Sequence, residues 1–331
     1  MKITSEKIET SYKGYYPFVE KGLIVEMSKG QKRAYNSGEG GELRWKVIPH
    51  FNKGYIQLVP PKMCSMTSSS ALVVNSFAEA AKLKSCESDY WNTLLFNGED
   101  PFFCGQMKEA CFEKKLKICG IKGFSPNVDF YLRAEDSVVA IESKYTEPFE
   151  PKIGKIQKQY ETLIRDWEGK YPVVKALSAV IREIGEALAK PGRDARPTRP
   201  QSRGTRDPTR CAEGFASASG KYTYLDVAQL VKHMLGLVSL SRYGHRKIKK
   251  FKLIYLYHPS VDEVNNGKHR EEVNRFAKHF KMAKAESWFK AMTYKELFSN
   301  LNMIPGSKDH YNKLRSRYKD GIDCSLWDCD T

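Results

Sequence analysis

Residues 126–149 read Pro-Asn-Val-Asp-Phe-Tyr-Leu-Arg-Ala-Glu-Asp-Ser-Val-Val-Ala-Ile-Glu-Ser-Lys-Tyr-Thr-Glu-Pro-Phe. Two runs rich in β-branched and aromatic residues, Val128 to Arg133 and Val138 to Lys144, flank a polar turn at Glu135-Asp136. That pattern predicts a β-hairpin. Centred on the turn, the hairpin places Asp129 opposite Glu142, and directly opposed residues have Cβ atoms about 4.5–5.5 Å apart. Two carboxylates so placed repel unless a cation or a proton lies between them. Lys144 lies two residues beyond Glu142, so the alternation of a strand puts both on one face with apolar Val138 and Ala140.

Such a cluster suits Mg²⁺. Hard oxygens from Asp129, Glu142 and the Ser143 carbonyl supply part of an octahedral shell and leave room for waters and a phosphate. The ion would polarise a phosphodiester and activate water, while Lys144 would orient or deprotonate the attacking water. The same residues also suit an exposed hairpin carrying a Glu/Lys surface pair.

The spacing Asp129, Glu142, Ser143, Lys144 resembles the signature of the PD-(D/E)xK phosphodiesterase superfamily, the restriction-endonuclease-like fold. The longer runs Asn127-Val128-Asp129, Ile141 to Lys144 and Glu147-Pro148-Phe149 resemble one bacterial, restriction-endonuclease-like group within it. The resemblance implies metal ligation by Asp129 and Glu142 and a catalytic role for Lys144, with Mg²⁺ as cofactor and Mn²⁺ as its substitute. The sequence departs from the signature in one respect: Pro126 stands three residues before the aspartate rather than beside it.

Lys and Arg outnumber Asp and Glu by 55 to 39 in 331 residues, a net charge of +16. A polyanionic partner, DNA above all, is the simplest reason. The eight cysteines (64, 86, 104, 111, 119, 211, 324 and 329) show no C-x-x-C and no zinc-like pairing with histidine. With no apolar leader after Met1 and no run long enough to span a membrane, the expectation is a cytoplasmic protein with reduced, mostly buried thiols.

Strand-like stretches at Leu23 to Met27 and Tyr55 to Val59 mark residues 1–67 as an N-terminal extension packed on the core. Gly38-Glu39-Gly40-Gly41 lacks the Gly-Lys-Ser/Thr ending of a phosphate loop and reads as a flexible connection. Ser68 to Ser70 then cap a helix from Ala71 to Lys84. Ser69-Ser70-Ala71, Asn75 and Phe77 are similar to the nuclease group, and Asn75 with Glu79, four apart, share a face. That makes Asn75 a candidate substrate contact and Glu79 a further candidate ligand, although a capped core helix with incidental polar residues has the same pattern. Glu113, on a strand expected from Cys111 to Ile118, is either another ligand or an ordinary strand residue.

Helices are expected over Ile153 to Gly169 and Val173 to Lys190. Pro191 to Arg210 holds four prolines and six arginines without periodicity, an insertion (191–220 with its flank) unable to bury enough surface to fold. Tyr222 to Leu240 reads as an apolar helix with Asp226, Gln229 and His233 on one face. Gln229-x-x-x-His233 is similar to the Gln-x-x-x-Tyr element of some PD-(D/E)xK nucleases, with His in place of Tyr. The similarity implies phosphate or supporting contacts, while a stripe facing water is the other reading. Arg242, Arg246, Lys247, Lys249 and Lys250 form a basic run suited to a DNA backbone. It precedes the strand Phe251 to Tyr257. Residues 258–331 are expected to be helical, over Asp262 to Phe280, Ala283 to Leu301 and Tyr311 to Lys319, with an acidic end.

The fold expected is α/β, an αβββαβ core with a mixed central sheet flanked by helices over residues 68–257. The function expected is Mg²⁺-dependent hydrolysis of DNA by a restriction-type or defence endonuclease. Two alternatives remain: a non-catalytic nucleic-acid-binding protein, and an RNA-processing or DNA-repair nuclease of the same fold. Cutting both strands often needs two active sites, which makes a homodimer one option, and the sequence carries no coiled-coil signal for it.

Overall fold

The computed structural model describes residues 33–37, 43–47, 69–82, 88–98, 101–121, 125–145, 156–189, 222–244, 248–259, 261–262 and 265–319. The expected strands at 23–27 and 55–59, the Gly38–Gly41 loop, the 191–220 insertion, Glu147-Pro148-Phe149 and the acidic end lie outside them.

The predicted hairpin is the middle of a sheet. β4 (Asn127–Arg133) and β5 (Ser137–Lys144) pair antiparallel with Phe130 opposite Ile141 and Arg133 opposite Val138. Every residue of β5 is buried. A strand covered on both faces reads as a continuous apolar run, which Val138-Val139-Ala140-Ile141 is. β3 (Glu109–Lys115) pairs antiparallel with β4. β1 (Arg33–Ser37) and β2 (Leu43–Val47) extend that side, giving a seven-stranded sheet in the order β2-β1-β3-β4-β5-β6-β7. β6 (Lys250–Tyr257) and β7 (Phe289–Thr293) run parallel to β5.

Helices cover both faces, the three-layer arrangement of α/β proteins. On one face lie α1 (Ser69–Lys82) and α2 (Ser88–Phe96), with α7 (Tyr294–Met303) and α8 (Lys308–Lys319). Their core includes a stacked Phe77–Phe130 pair, ring centroids 4.7 Å apart. On the other lie α3 (Lys158–Trp167), α4 (Pro172–Ala189), α5 (Val227–Tyr243) and α6 (Lys268–Met282). This order contains the expected αβββαβ core. No helix among the described residues is long and apolar enough to cross a membrane.

The expected helix from Ala283 to Leu301 is replaced by a 3₁₀ turn at Glu286–Trp288, then β7 and α7. Lys284 turns left-handed (φ +53°), ending α6, and the edge of β6 captures Phe289–Thr293 by parallel pairing. The last part of the chain is therefore not wholly helical. Three other helices begin later than expected, α3 at Lys158 rather than Ile153. Asp226 accepts the Gln229 N–H at 2.9 Å and so caps α5 instead of joining its polar stripe. Left-handed Asn266 and Gly267 delay α6 to Lys268. Of the described thiols, Cys111 is buried but Cys104 and Cys119 are exposed, so burial does not hold for them generally.

Gly236 on α5 lets the helix approach the end of β3, since a Cβ there would stand 2.6 Å from the Leu116 Cβ. Gly236→Ala is therefore expected to destabilise the fold by about 1–3 kcal/mol, the usual scale of overpacking, although alanine is the better helix former by about 1 kcal/mol. Urea denaturation of the two proteins checks this. A variant at least as stable as the parent would contradict the close approach.

Candidate active site

The β4–β5 ladder continues no further than Phe130 opposite Ile141. One residue beyond, Asp129 faces Glu142 as the hairpin register requires. There the side chain takes over from the backbone: the Ser143 N–H donates to Asp129 Oδ2 at 2.7 Å. The next residue, Lys144, gives its carbonyl to the His258 N–H across β6. Because backbone groups alternate along a strand, the Ser143 carbonyl points away from β6, to the side of its own N–H. Ser143 Oγ goes to the opposite face and lies 2.6 Å from the Tyr294 hydroxyl, both buried.

Lys144 Nζ donates to Glu142 Oε1 at 2.5 Å, with both side chains nearly buried. His233, fully buried on α5, brings Nε2 within 2.9 Å of Glu142 Oε2. That contact is too poorly aligned for a hydrogen bond, so Glu142 Oε2 and both His233 ring nitrogens are buried without a hydrogen-bond partner. Burial pushes Glu142 up, but Lys144 and His233 outweigh it and hold the carboxyl at about 2. Burial, and next the charge of Glu142, push Asp129 well above the usual carboxylate range. One acid is ionised and the other is held towards its neutral form.

The alternative of a solvent-exposed hairpin is thereby excluded. The residues fit a Mg²⁺ ion: two carboxylates on one face, one with an oxygen that no hydrogen bond reaches, and a carbonyl turned to the same end. Mg²⁺ is typically held by one or two carboxylates and keeps several waters. Among the described residues no group of three or more His, Cys, Asp or Glu is arranged to hold a metal.

Glu113 stands opposite Asp129 at a gap in the β3–β4 ladder, between Phe112–Phe130 and Lys114–Val128. Its backbone is left-handed (φ +52°), uncommon for a non-glycine residue. Its Oε2 accepts from Asn127 Nδ2 at 3.3 Å, and its charge contributes to the rise at Asp129. Gln229, half-buried, sits one turn before His233 on α5. Asn75 is buried on α1, which packs on the opposite face of the sheet from Glu142 and Lys144. Glu79 is on the same helix, and its side chain is outside the described part.

The basic run lies elsewhere. Lys250 pairs with Ser137 at the start of β5, whereas Glu142 and Lys144 are at its end. Arg242 covers the Tyr171 ring at 4.7 Å, and Lys249 pairs with Asp136 at 3.2 Å. Arg246 and Lys247 are outside the described residues.

Sequence reasoning missed Tyr294, for which no local pattern exists, and Tyr255, which pairs with Glu142 in the β5–β6 register. The period-2 spacing of Tyr255 and Tyr257 already put both on one face.

The two acids have opposite linkage. Glu142, lowered, stabilises the fold above its ordinary value and loses that contribution as pH falls towards 2. Asp129, raised, favours the fold only while protonated, so near neutral pH it costs stability without a cation. Asp129→Asn is accordingly expected to raise Tm in EDTA at neutral pH and to abolish the further rise that Mg²⁺ gives the parent. Differential scanning calorimetry with and without Mg²⁺ reads both effects, and a lowered Tm in EDTA would count against this electrostatic account.

No curated protein and no solved structure compared with the chain matches it. Residues 36–319 match the family described as Restriction Endonuclease associating with ARP, and the chain belongs to this restriction-endonuclease-like family.

Proposed function

We propose that the protein is a Mg²⁺-dependent endonuclease that hydrolyses DNA phosphodiester bonds, of restriction or defence type. The observation that carries this reading is the convergence of Asp129, Glu142 and Lys144 at the carboxyl end of β5. There Glu142 Oε1 is taken by Lys144, while Oε2 is buried with His233 Nε2 at 2.9 Å. In open α/β sheets ligands bind beyond the carboxyl ends of the strands. Family membership and the net charge of +16 support the same substrate class.

Asp129 and Glu142, with the Ser143 carbonyl, would hold the ion. When bound, Mg²⁺ polarises the phosphodiester and supplies an activated water. Lys144 Nζ, fixed by Glu142 Oε1, orients that water as a cationic donor. The water oxygen forms the new bond to phosphorus and gives up its proton to solvent, the ester bond to the leaving oxygen breaks, and that oxygen takes up a proton from solvent. His233 buttresses Glu142 from α5, and Gln229, one turn earlier on that helix, is a candidate phosphate contact. Mn²⁺ is the expected substitute. The basic run at the far end of β5 serves as a backbone contact remote from the cut.

Plasmid DNA is expected to be cleaved with Mg²⁺ and left intact with EDTA. Lys144→Ala should lower the rate by about 10²–10³-fold, the scale of losing one positioned donor, while DNA binding measured in EDTA is largely retained. Binding without cleavage by the parent in either Mg²⁺ or Mn²⁺ would leave a nucleic-acid-binding module instead. Preference for RNA or single-stranded DNA over duplex in the same assay would move the substrate class.

A further inference from the structure

A second polar chain starts one strand away from Lys144. Tyr255 and Tyr257 of β6 pair in register with Glu142 and Lys144 and face the same helical layer. The Tyr255 hydroxyl lies 2.9 Å from Nε2 of His269, which is wholly buried in the first turn of α6. His269 Nδ1 is 3.7 Å from Oδ1 of the buried Asp262, whose other oxygen accepts from Arg270 Nε at 2.8 Å. The chain ends in solvent, for the Arg270 side chain is 61% exposed.

Several features of Arg270 need a reason. Lys268, His269 and Arg270 open a helix whose first turn also holds Glu271, and the dipole there disfavours positive charge. A surface arginine does not need a buried carboxylate behind it, yet Asp262 fixes Nε. Hydrogen bonding and charge from Asp262 come first, with Tyr257 contributing, in holding the guanidinium firmly protonated. With Nε engaged, a planar fork still presents its outer N–H groups, and that geometry matches the two oxygens of a phosphate. Adjacent strands are about 4.8 Å apart, so the Tyr257 position beside Arg270 is one strand spacing from Lys144.

We propose that Arg270 is a phosphate-binding residue of the substrate groove, aimed by Asp262 at a backbone phosphate of the nucleic acid next to the one Lys144 faces. The assignment rests on the nuclease reading for its choice of duplex DNA, but not on cleavage itself. Arg270 touches the substrate, whereas Asp262 acts through it.

The test is fluorescence-anisotropy binding of the full chain to short duplexes in EDTA, across a series of KCl concentrations. Arg270→Gln is expected to weaken binding about 5–10-fold on unrelated sequences alike. It should also reduce the slope of log K against log [salt] by about one, as loss of one phosphate contact does. Arg182 is the matched control, since it is 64% exposed and also paired with a carboxylate, that of Glu168; Arg182→Gln should leave affinity and slope unchanged. Asp262→Asn, which removes the anchoring carboxylate but leaves the Arg270 charge, should weaken binding less than Arg270→Gln. Arg270→Gln binding like the parent, or both arginine variants losing affinity equally, would overturn the assignment. If the parent binds duplex and Arg270→Gln shows the predicted loss while Mg²⁺ yields no cleavage, the nuclease reading fails and the phosphate site stands.

Discussion

The structure turns on one contact: the Ser143 N–H donating to Asp129 across the end of the β4–β5 hairpin. A regular ladder would continue there backbone to backbone. Substituting a carboxylate ends the pairing and brings Asp129 beside Glu142. Two acids so close repel each other, and the surrounding fold does not treat them equally. Glu142 has Lys144 and His233 against it, while burial and the charge of Glu142 act on Asp129. The site is thus asymmetric, with the unfavourable charge concentrated where a cation or a proton relieves it.

Such an arrangement persists only if its backbone cannot relax. Ser143 is held on one face and along both edges of its strand. Asp129 takes its N–H, Tyr294 meets its hydroxyl from behind, and β6 pairs with its neighbours. The helix bringing His233 is fixed with similar care. Glu272 of α6 accepts the N–H groups of Thr223, Tyr224 and Leu225 at 2.7–2.8 Å, and Asp226 caps the first turn. A short link between charged, hydrogen-bonded groups anchors the start of α5, and Gly236 sets how near it sits to Leu116. Positioning within a packed interior is what allows two charges and an amine to keep a fixed geometry.

Much of this was legible in the chain because the governing rules are local. Hairpin register follows from the turn at Glu135-Asp136, and strand alternation then places Glu142 and Lys144 on one face. The Tyr294–Ser143 contact spans 151 residues and leaves no such trace. Strand β7 was hidden for a different reason: Phe289 to Thr293 has too few residues for its period to outweigh the helical neighbourhood, and pairing with β6 decides its state. A local signal did exist just after it. Thr293 and Glu296 form a capping box, each side chain reaching the other's backbone N–H, which marks a new helix start in the middle of the helix expected there. The role of Asp226 was misread similarly, since an acid before an apolar helix is a cap before it is part of a stripe.

Net charge was the least local signal and located least. The +16 surplus is a property of the whole chain, but register gives it positions. Lys250 pairs with Ser137 and Tyr257 with Lys144, seven residues apart along β6, or about 23 Å at 3.3 Å per residue. At about 3.4 Å per base pair along a duplex, one that touched both ends of the strand would extend over about seven base pairs. The basic run and the acid pair are therefore not alternative sites for one phosphate. Charge at the start of β5 can hold a nucleic acid without meeting the reacting bond, while at its end ionised Glu142 sets the local sign unless a cation offsets it. At that end Lys144, fixed by Glu142, counts for more than its single charge, because an oriented donor in a partly buried site interacts more strongly than an equal charge in water.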